Sequence, residues 1–335
     1  MNRLSLVIPV FKEDAVALAS LIERIREVSV ALPGLFEIIL VDDGCDPPLP
    51  ATLARDIVRI VRHPRNLGNG AAVKSGARAA KGDILILMDG DGQHDPADIP
   101  RLLAALGDGH DMVVGARAPG AHASFARRLA NGTYNRLASW MTGYRIDDLT
   151  SGFRVARLTR FRRFLYLLPN GFSYPTTSTM AFFRSGFSVG YVPIEVRRRA
   201  GTSKIGIVKD GTRFFVIILK IGALFSPMRL FLPVSAGFFF LGLARYLYTF
   251  ITQHRLTNMS TILFVASMFT MLIGIVSEQV SALHYKDAER EDEAERARSI
   301  VSEQMPRSRT PNESHENSRA KAAQRTASIV RPPER

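Results

Sequence analysis

Cysteine is almost absent. Cys45 is the only one in 335 residues, which excludes a disulfide framework and a cysteine-based zinc site. Acidic residues are scarce between positions 113 and 229, where 4 face 19 basic ones, while residues 1–112 carry 16 acidic against 12 basic. The net charge of +13 is therefore the property of one segment. Nucleic acid becomes a minor alternative and no nucleic-acid partner is expected; a basic stretch that directly precedes the most apolar part of the chain points to a membrane surface or an anionic substrate. The N-terminal MNRLSLVIPVFKED lacks the long apolar run of a signal peptide. Disorder as a whole is excluded by a hydrophobic share of 46%, and the length fits about two domains.

Two long apolar runs are present. Leu230–Thr252 has a single charge, Arg245, and Asn258–Leu283 a single charge, Glu278, near its end. Each is long enough to cross a hydrocarbon core of about 30 Å. Only five residues separate them, which predicts a hairpin with both long flanks on one side. The Arg and Lys residues before Leu230, with His284 and Lys286 after the second run, place that side in the cytoplasm. The expectation is a multi-pass protein of the cytoplasmic membrane with its first domain and both termini cytoplasmic. Upstream, residues 205–229 are apolar but carry Lys209, Arg213 and Lys220 on one helical face, as a helix lying in the interface does. Gly237, Gly242 and Gly274 leave room for helix association, so a homo-oligomer stays open. The expected organisation is a cytoplasmic domain over 1–204, an interfacial amphipathic helix over 205–229, a transmembrane hairpin over 230–283 and a charged, largely disordered cytoplasmic tail over 284–335.

In the first part of the chain, short β-branched runs at 4–8, 36–41, 57–61, 83–88 and 111–116 alternate with helical stretches. That order predicts an α/β fold, a Rossmann-like, mainly parallel sheet covered by helices on both faces, with ligands beyond the carboxyl ends of the strands. The residues there are Pro9, Phe11 and Glu13; Asp42, Asp43 and Gly44; Asp89, Asp91 and Gln93; and Arg117. Two carboxylates two residues apart, with an amide oxygen close by, are hard ligands suited to Mg²⁺ or Mn²⁺. Read alone, the Asp-Gly pairs of MDGDGQHD are equally a plain turn. Gly68 and Gly70 at the start of an Ala-rich helix suit either a phosphate or close packing.

The ordered set IPVFKED (8–14), VDDG (41–44), RNLGNGAA (65–72), MDGDGQHDP (88–96), VGAR (114–117), DLTSGFR (148–154) and GTSK (201–204) resembles family 2 glycosyltransferases of the GT-A fold, most closely the polyprenyl-phosphate branch that includes dolichyl-phosphate mannosyltransferase. FSPMRLFLPVS (225–235) followed by two spans is similar to membrane-anchored bacterial members. The resemblance implies that Pro9, Phe11, Glu13 and Asp42 hold the nucleoside of a nucleotide diphosphate-sugar, that Asp89 and Asp91, with Gln93, bind Mg²⁺ or Mn²⁺ on the diphosphate, and that Arg117 contacts donor phosphates or sugar. It also implies Arg127, Arg198 and Lys204 as the grip on the acceptor phosphate, with Asp91, Arg117, Arg127 and Lys204 as the catalytic set. The implied reaction moves a sugar, with inversion, to a polyprenyl phosphate; a UDP-hexose is favoured over GDP-mannose. Membrane attraction explains the arginine runs 127–128 and 197–199 equally well.

Departures from the family pattern are Lys12, Cys45 and Asn69, and above all GFSYPTTSTMAFF (171–183), which offers Pro, Thr and Ser where relatives commonly carry an acid or Gln. Two other function classes stand beside the leading one. A processive glycan synthase generally needs a Q-x-x-R-W element, and the sole tryptophan, Trp140, sits in ASWMT instead. A non-catalytic nucleotide-sugar-binding membrane protein is disfavoured by Asp89, Asp91 and Arg117 occurring together.

Overall fold

The computed structural model describes residues 3–32, 34, 36–117, 125–171, 173–196 and 222–304, with the side chains of 125–131 and 284–304 left aside. The chain divides into two compact units, Met1–Tyr285 and Lys286–Arg335. Of the second unit, residues 286–304 are helical.

All five expected strands are present: β1 (Leu4–Val10), β2 (Phe36–Asp42), β3 (Val58–Arg62), β4 (Ile84–Leu87) and β5 (Met112–Arg117). Two more, β6 (Arg154–Arg157) and β7 (Val189–Ile194), complete a seven-stranded sheet among the described residues, in the order β3-β2-β1-β4-β6-β5-β7. Strand β6 runs antiparallel to both β4 and β5, and the other pairings are parallel. Its four residues begin and end with arginine, so no apolar run announces it; pairing on both sides holds it in place.

The helices are α1 (Ala15–Val30), α2 (Asn69–Ala79), α3 (Ile99–Gly107), α4 (Phe125–Thr142), α5 (Leu158–Arg162), α6 (Tyr174–Arg184), α7 (Pro227–Gln253) and α8 (Asn258–Gln304). They cover both faces, as expected. Leu6, Ile8, Ile38 and Leu40 bury with Leu18, Leu21 and Ile25 of α1 and Leu102 of α3; on the other face Val7, Ile39 and Val41 bury with α2, α4 and α6. Burying each such aliphatic side chain stabilises the fold by roughly 1.5–3 kcal/mol. The alternation along β1 is the period-two signature of a strand with helices on each side.

Helices α7 and α8 contain stretches long and apolar enough to cross a membrane, Pro227–Gln253 and Asn258–Leu283, and little of either is buried inside the protein. They pack as a hairpin. Ser235 and Ser267 each donate to the other's carbonyl at 2.9 Å, so both hydroxyls are satisfied within the apolar pair. Gly242 lies against Leu263 and Phe264, and Gly274 against Phe231 and Met228; a Cβ on Gly237 would meet nothing within 4 Å among the described residues. Two of the three small residues thus serve this hairpin itself. Of the interfacial stretch expected at 205–229, residues 205–221 lie outside the described part, 222–225 are helical, and α7 has already begun at Pro227.

Helix α2 approaches the sheet closely at Gly76, where a Cβ would sit 3.0 Å from Val7 Cγ2 and 3.2 Å from Val41 Cγ2. Gly76→Leu is therefore expected to cost about 1–3 kcal/mol through overpacking, read as a lowered unfolding midpoint of the purified full chain; an unchanged midpoint would contradict this helix-to-sheet contact.

Candidate active site

Strands β1 and β4 are neighbours, yet the chain leaves them toward opposite sides of the sheet: β2 and β3 lie beyond one, β6, β5 and β7 beyond the other. A crevice opens at such a switch point. The ends of β1, β2 and β4 are knitted together there. Asp43 N–H donates to Val10 carbonyl at 2.9 Å, Met88 N–H donates to Val7 carbonyl at 3.2 Å, and a Cβ on Gly90 would sit 3.1 Å from Pro9 carbonyl. The expected residues at these three ends are therefore neighbours in space.

Asp89 is half-buried. Burial pushes its carboxyl pKa up, and Asp91 adds to this, while His94, a hydrogen bond from Asn69 and the Arg154 cation oppose it. Asp91 is half-buried, and its carboxylate accepts from Gln93 N–H at 3.1 Å. His94 is buried with its ring 5.2 Å from that of Phe153; burial lowers its pKa against the pull of both carboxylates. His94 Nδ1 and Asn69 Oδ1 are buried polar atoms without a hydrogen-bond partner among the described residues. Two carboxylates with orphaned polar atoms beside them fit a hard divalent ion. Among the described residues no group of three His, Cys, Asp or Glu side chains is placed to hold a metal ion.

The turn Ser151–Phe153 closes over Asp89. A Cβ built on Gly152 would overlap the Asp89 carboxylate, so glycine at this position follows from the contact. Next to it Arg154 is completely buried. Its guanidinium donates to Ser151 carbonyl at 2.6 Å, Pro175 carbonyl at 2.9 Å, Ser178 Oγ at 2.7 Å and Thr179 Oγ1 at 3.2 Å. Burial lowers its pKa, opposed by Tyr174, Tyr191, Asp148 and Asp89. This explains the unusual YPTTST segment: the hydroxyls of α6 solvate a buried cation. Arg154 carried no role in the sequence reading; one arginine inside a motif does not announce that it is enclosed.

Arg117, at the end of β5, is gripped by Asp148: Nε lies 2.7 Å from Oδ2, Nη2 lies 2.9 Å from Oδ1, and Nη2 also meets Thr150 Oγ1. Burial raises the Asp148 pKa, but bonds and charge from Arg117, with backbone N–H groups of Arg117 and Thr150, outweigh it and hold the carboxyl below its ordinary range. The pair fixes the plane of the Arg117 guanidinium.

Asp42 has no exposed surface, and its two oxygens accept from Cys45 N–H at 2.8 Å and Leu49 N–H at 3.1 Å. In this arrangement it shapes the loop after β2. Its neighbour Asp43 accepts from His63 Nδ1 at 2.7 Å, Leu67 N–H at 2.9 Å and Gly68 N–H at 2.8 Å, and His63 Nε2 meets Ser75 Oγ at 2.8 Å. Sequence reading missed this buried relay, which anchors the loop that delivers Asn69 to Asp89. Pro9 and Glu13 are half-buried; Phe11 is 37% exposed, with Lys12 Nζ 5.2 Å from its ring centroid. Arg127 falls in the first turn of α4 with its side chain outside the described part, and Arg198 and Lys204 lie outside the described residues.

This fold and edge are those of a glycosyltransferase. The chain belongs to glycosyl transferase family 2, which it matches over residues 5–182, and residues 226–283 match the GtrB C-terminal hairpin. It is 28% identical over 318 residues to the dodecaprenyl-phosphate galacturonate synthase of Rhizobium johnstonii, covering 85% of this chain and 89% of that one. It is 33% identical over 164 residues to the undecaprenyl-phosphate 4-deoxy-4-formamido-L-arabinose transferase of Proteus mirabilis, a match that spans 49% of that protein. In fold it is similar to glucosyl-3-phosphoglycerate synthase from Mycobacterium tuberculosis, solved with Mn²⁺, UDP and phosphoglyceric acid, at 21% identity and a TM-score of 0.51 over 66% of this chain and 78% of that one.

Gly152→Ala forces the turn off Asp89 and is expected to lower sugar transfer about 100-fold, measured as initial rate on the purified chain. Asp148→Asn removes the partner of a largely buried Arg117 and is expected to cost on the order of 3 kcal/mol at neutral pH. Because the folded pKa of Asp148 is depressed, its stabilisation is complete above the unfolded value of about 3.9 and is lost as pH falls through the folded value. Unfolding midpoints of wild type and variant should converge at acid pH, and a gap independent of pH would contradict the ion pair.

Proposed function

We propose that the protein transfers a sugar from a nucleotide diphosphate-sugar to a polyprenyl phosphate at the cytoplasmic face of the membrane, with inversion at the anomeric carbon. The observation that carries this reading is the joining, in one compact unit, of the Asp89–Asp91 strand edge to an apolar two-helix hairpin. The names of the Rhizobium and Proteus relatives, both of which specify a polyprenyl phosphate, support the acceptor class. The lysines and arginines flanking the hairpin support the cytoplasmic orientation.

Residues after β1 and β2, Pro9, Phe11, Glu13 and the Asp42 loop, receive the nucleoside. Asp89 and Asp91, with Gln93, hold Mg²⁺ or Mn²⁺, which when bound supplies Lewis-acid stabilisation of the nucleoside diphosphate leaving group. Arg117, held flat by Asp148, contacts the donor's phosphates or sugar. Arg127, Arg198 and Lys204 compensate the charge of the acceptor phosphate. That acceptor is already an anion at neutral pH, so it requires orientation more than a general base. An acceptor phosphate oxygen attacks the anomeric carbon in line, its bond forms as the bond to the diphosphate oxygen breaks, and the nucleoside diphosphate departs. A UDP-sugar is favoured, and the Rhizobium relative's name puts a uronic acid among the sugars to try.

Incubating the purified full chain with polyprenyl phosphate, Mn²⁺ and a panel of UDP- and GDP-sugars, UDP-galacturonate included, should yield one lipid product heavier by one sugar residue. Asp91→Ala should abolish it together with metal-dependent donor binding. Absence of a lipid-linked product from every donor would overturn the acceptor assignment, and an Asp91→Ala enzyme with normal turnover would overturn the metal assignment.

A further inference from the structure

Two helices run from the active-site edge to the hairpin, and each ends on a different hairpin helix. Helix α6 starts at the Arg154 cluster, where Pro175, Ser178 and Thr179 receive the guanidinium that backs the turn over Asp89. Its last residue, Arg184, donates from Nη2 to Glu278 Oε1 of α8 at 2.6 Å. Glu278 Oε2 in turn accepts from Met228 N–H, in the first turn of α7, at 3.4 Å. Helix α4 packs beside α6, with Tyr134 OH 3.1 Å from Thr176 Oγ1. At its far end Trp140 and Met141 carbonyls accept from Arg229 Nη1 of α7 at 2.8 and 3.0 Å, and Met141 carbonyl also accepts from Ser226 Oγ at 2.9 Å. Gly143, the left-handed residue that ends α4 (φ 81°), leaves the space the Arg229 guanidinium fills.

Helices of 18 and 11 residues are rods about 27 and 16 Å long. A single attachment between two bodies leaves them free to pivot about it, and a second restricts that motion. Glu278 is the only charged residue in Asn258–Leu283, and it sits where a carboxylate meets both a cation of the catalytic domain and the positive end of α7. With about a third of each side chain exposed, a pair of this kind contributes little to stability, so its consequence is geometric.

We propose that Arg184 and Glu278 are positioning residues. Their pair, with Arg229 at the end of α4, sets the height and rotation of the catalytic domain over the hairpin, so that a phosphate on a membrane-held lipid arrives at the Asp89 edge. The inference rests on the polyprenyl-phosphate reading above and deepens it: the hairpin is part of acceptor geometry as well as an anchor.

The test uses the full chain in lipid vesicles, as Arg184→Glu, Glu278→Arg and the double charge swap. Spin labels on Lys81→Cys and Leu283→Cys report the distance between domain and hairpin; Cys45 is buried and stays unlabelled. The single variants are expected to broaden that distance and to raise KM for vesicle-borne polyprenyl phosphate about tenfold or more. Their kcat with a short, water-soluble prenyl phosphate should stay within about twofold of wild type, and the double swap should restore the distance and the vesicle KM. An unchanged distance or an unchanged vesicle KM in the single variants overturns the proposal, as does equal loss with both acceptors without rescue. If wild type transfers to no prenyl phosphate, the acceptor reading falls, and the distance measurement alone then decides whether the clamp exists.

Discussion

A single enclosed cation organises the catalytic domain. Arg154 sits at the start of an antiparallel strand with no surface exposed, and isolating a guanidinium from water costs several kcal/mol unless every donor finds an acceptor. The solution reaches outward in two directions. Ser151 carbonyl binds it, which fixes the turn that presses Gly152 onto Asp89; Pro175, Ser178 and Thr179 bind it, which fixes where α6 begins. The positive field of Arg154 also opposes the protonation that burial favours at Asp89. The position of the turn and the direction of a helix both depend on this one residue.

Around that centre, the strand ends are tied by carboxylates acting on backbone N–H groups. Asp42 holds the loop after β2 through Cys45 and Leu49, Asp43 holds Leu67 and Gly68, and Asp148 holds Thr150 while pairing with Arg117. Loops bearing a site need such ties because they lack the hydrogen-bond ladders of the elements they join. The acidic residues that made the first third of the chain negative therefore divide their labour. Asp42 and Asp43 shape the site, while Asp89 and Asp91 are the pair whose surroundings include unsatisfied polar atoms.

The hairpin and the catalytic domain are joined by the same economy of charge. A carboxylate near the end of one span meets the guanidinium at the end of α6 and a first-turn N–H of the other span, and a guanidinium at the start of that span meets the last carbonyls of α4. Helix ends that are otherwise unsatisfied become attachment points. In the sequence these residues read as isolated charges bordering apolar runs, and the basic excess of residues 113–229 read as general attraction to anionic lipid. In the structure, part of that excess is committed to particular partners: Arg117 to Asp148, Arg154 to α6, Arg184 to Glu278 and Arg229 to α4.

Much of the fold was legible in residue order. Alternating β-branched and helical runs determined five strands, helices on both faces and the edge where Pro9, Asp42, Asp89 and Arg117 gather, because periodicity records which side of an element is buried. Two long apolar runs with five residues between them determined the hairpin. Strands β6 and β7 were not legible: β6 (RVAR) has no apolar run of its own, and the apolar run of β7 (VGYVPI) is interrupted by Gly190 and Pro193. The enclosed Arg154, the Asp43–His63–Ser75 relay, the Gly152 contact and the Arg184–Glu278 pair were decided by tertiary structure alone. Each joins residues far apart in the chain, and the burial that gives a charge or a glycine its consequence is a property of the neighbours that folding brings to it.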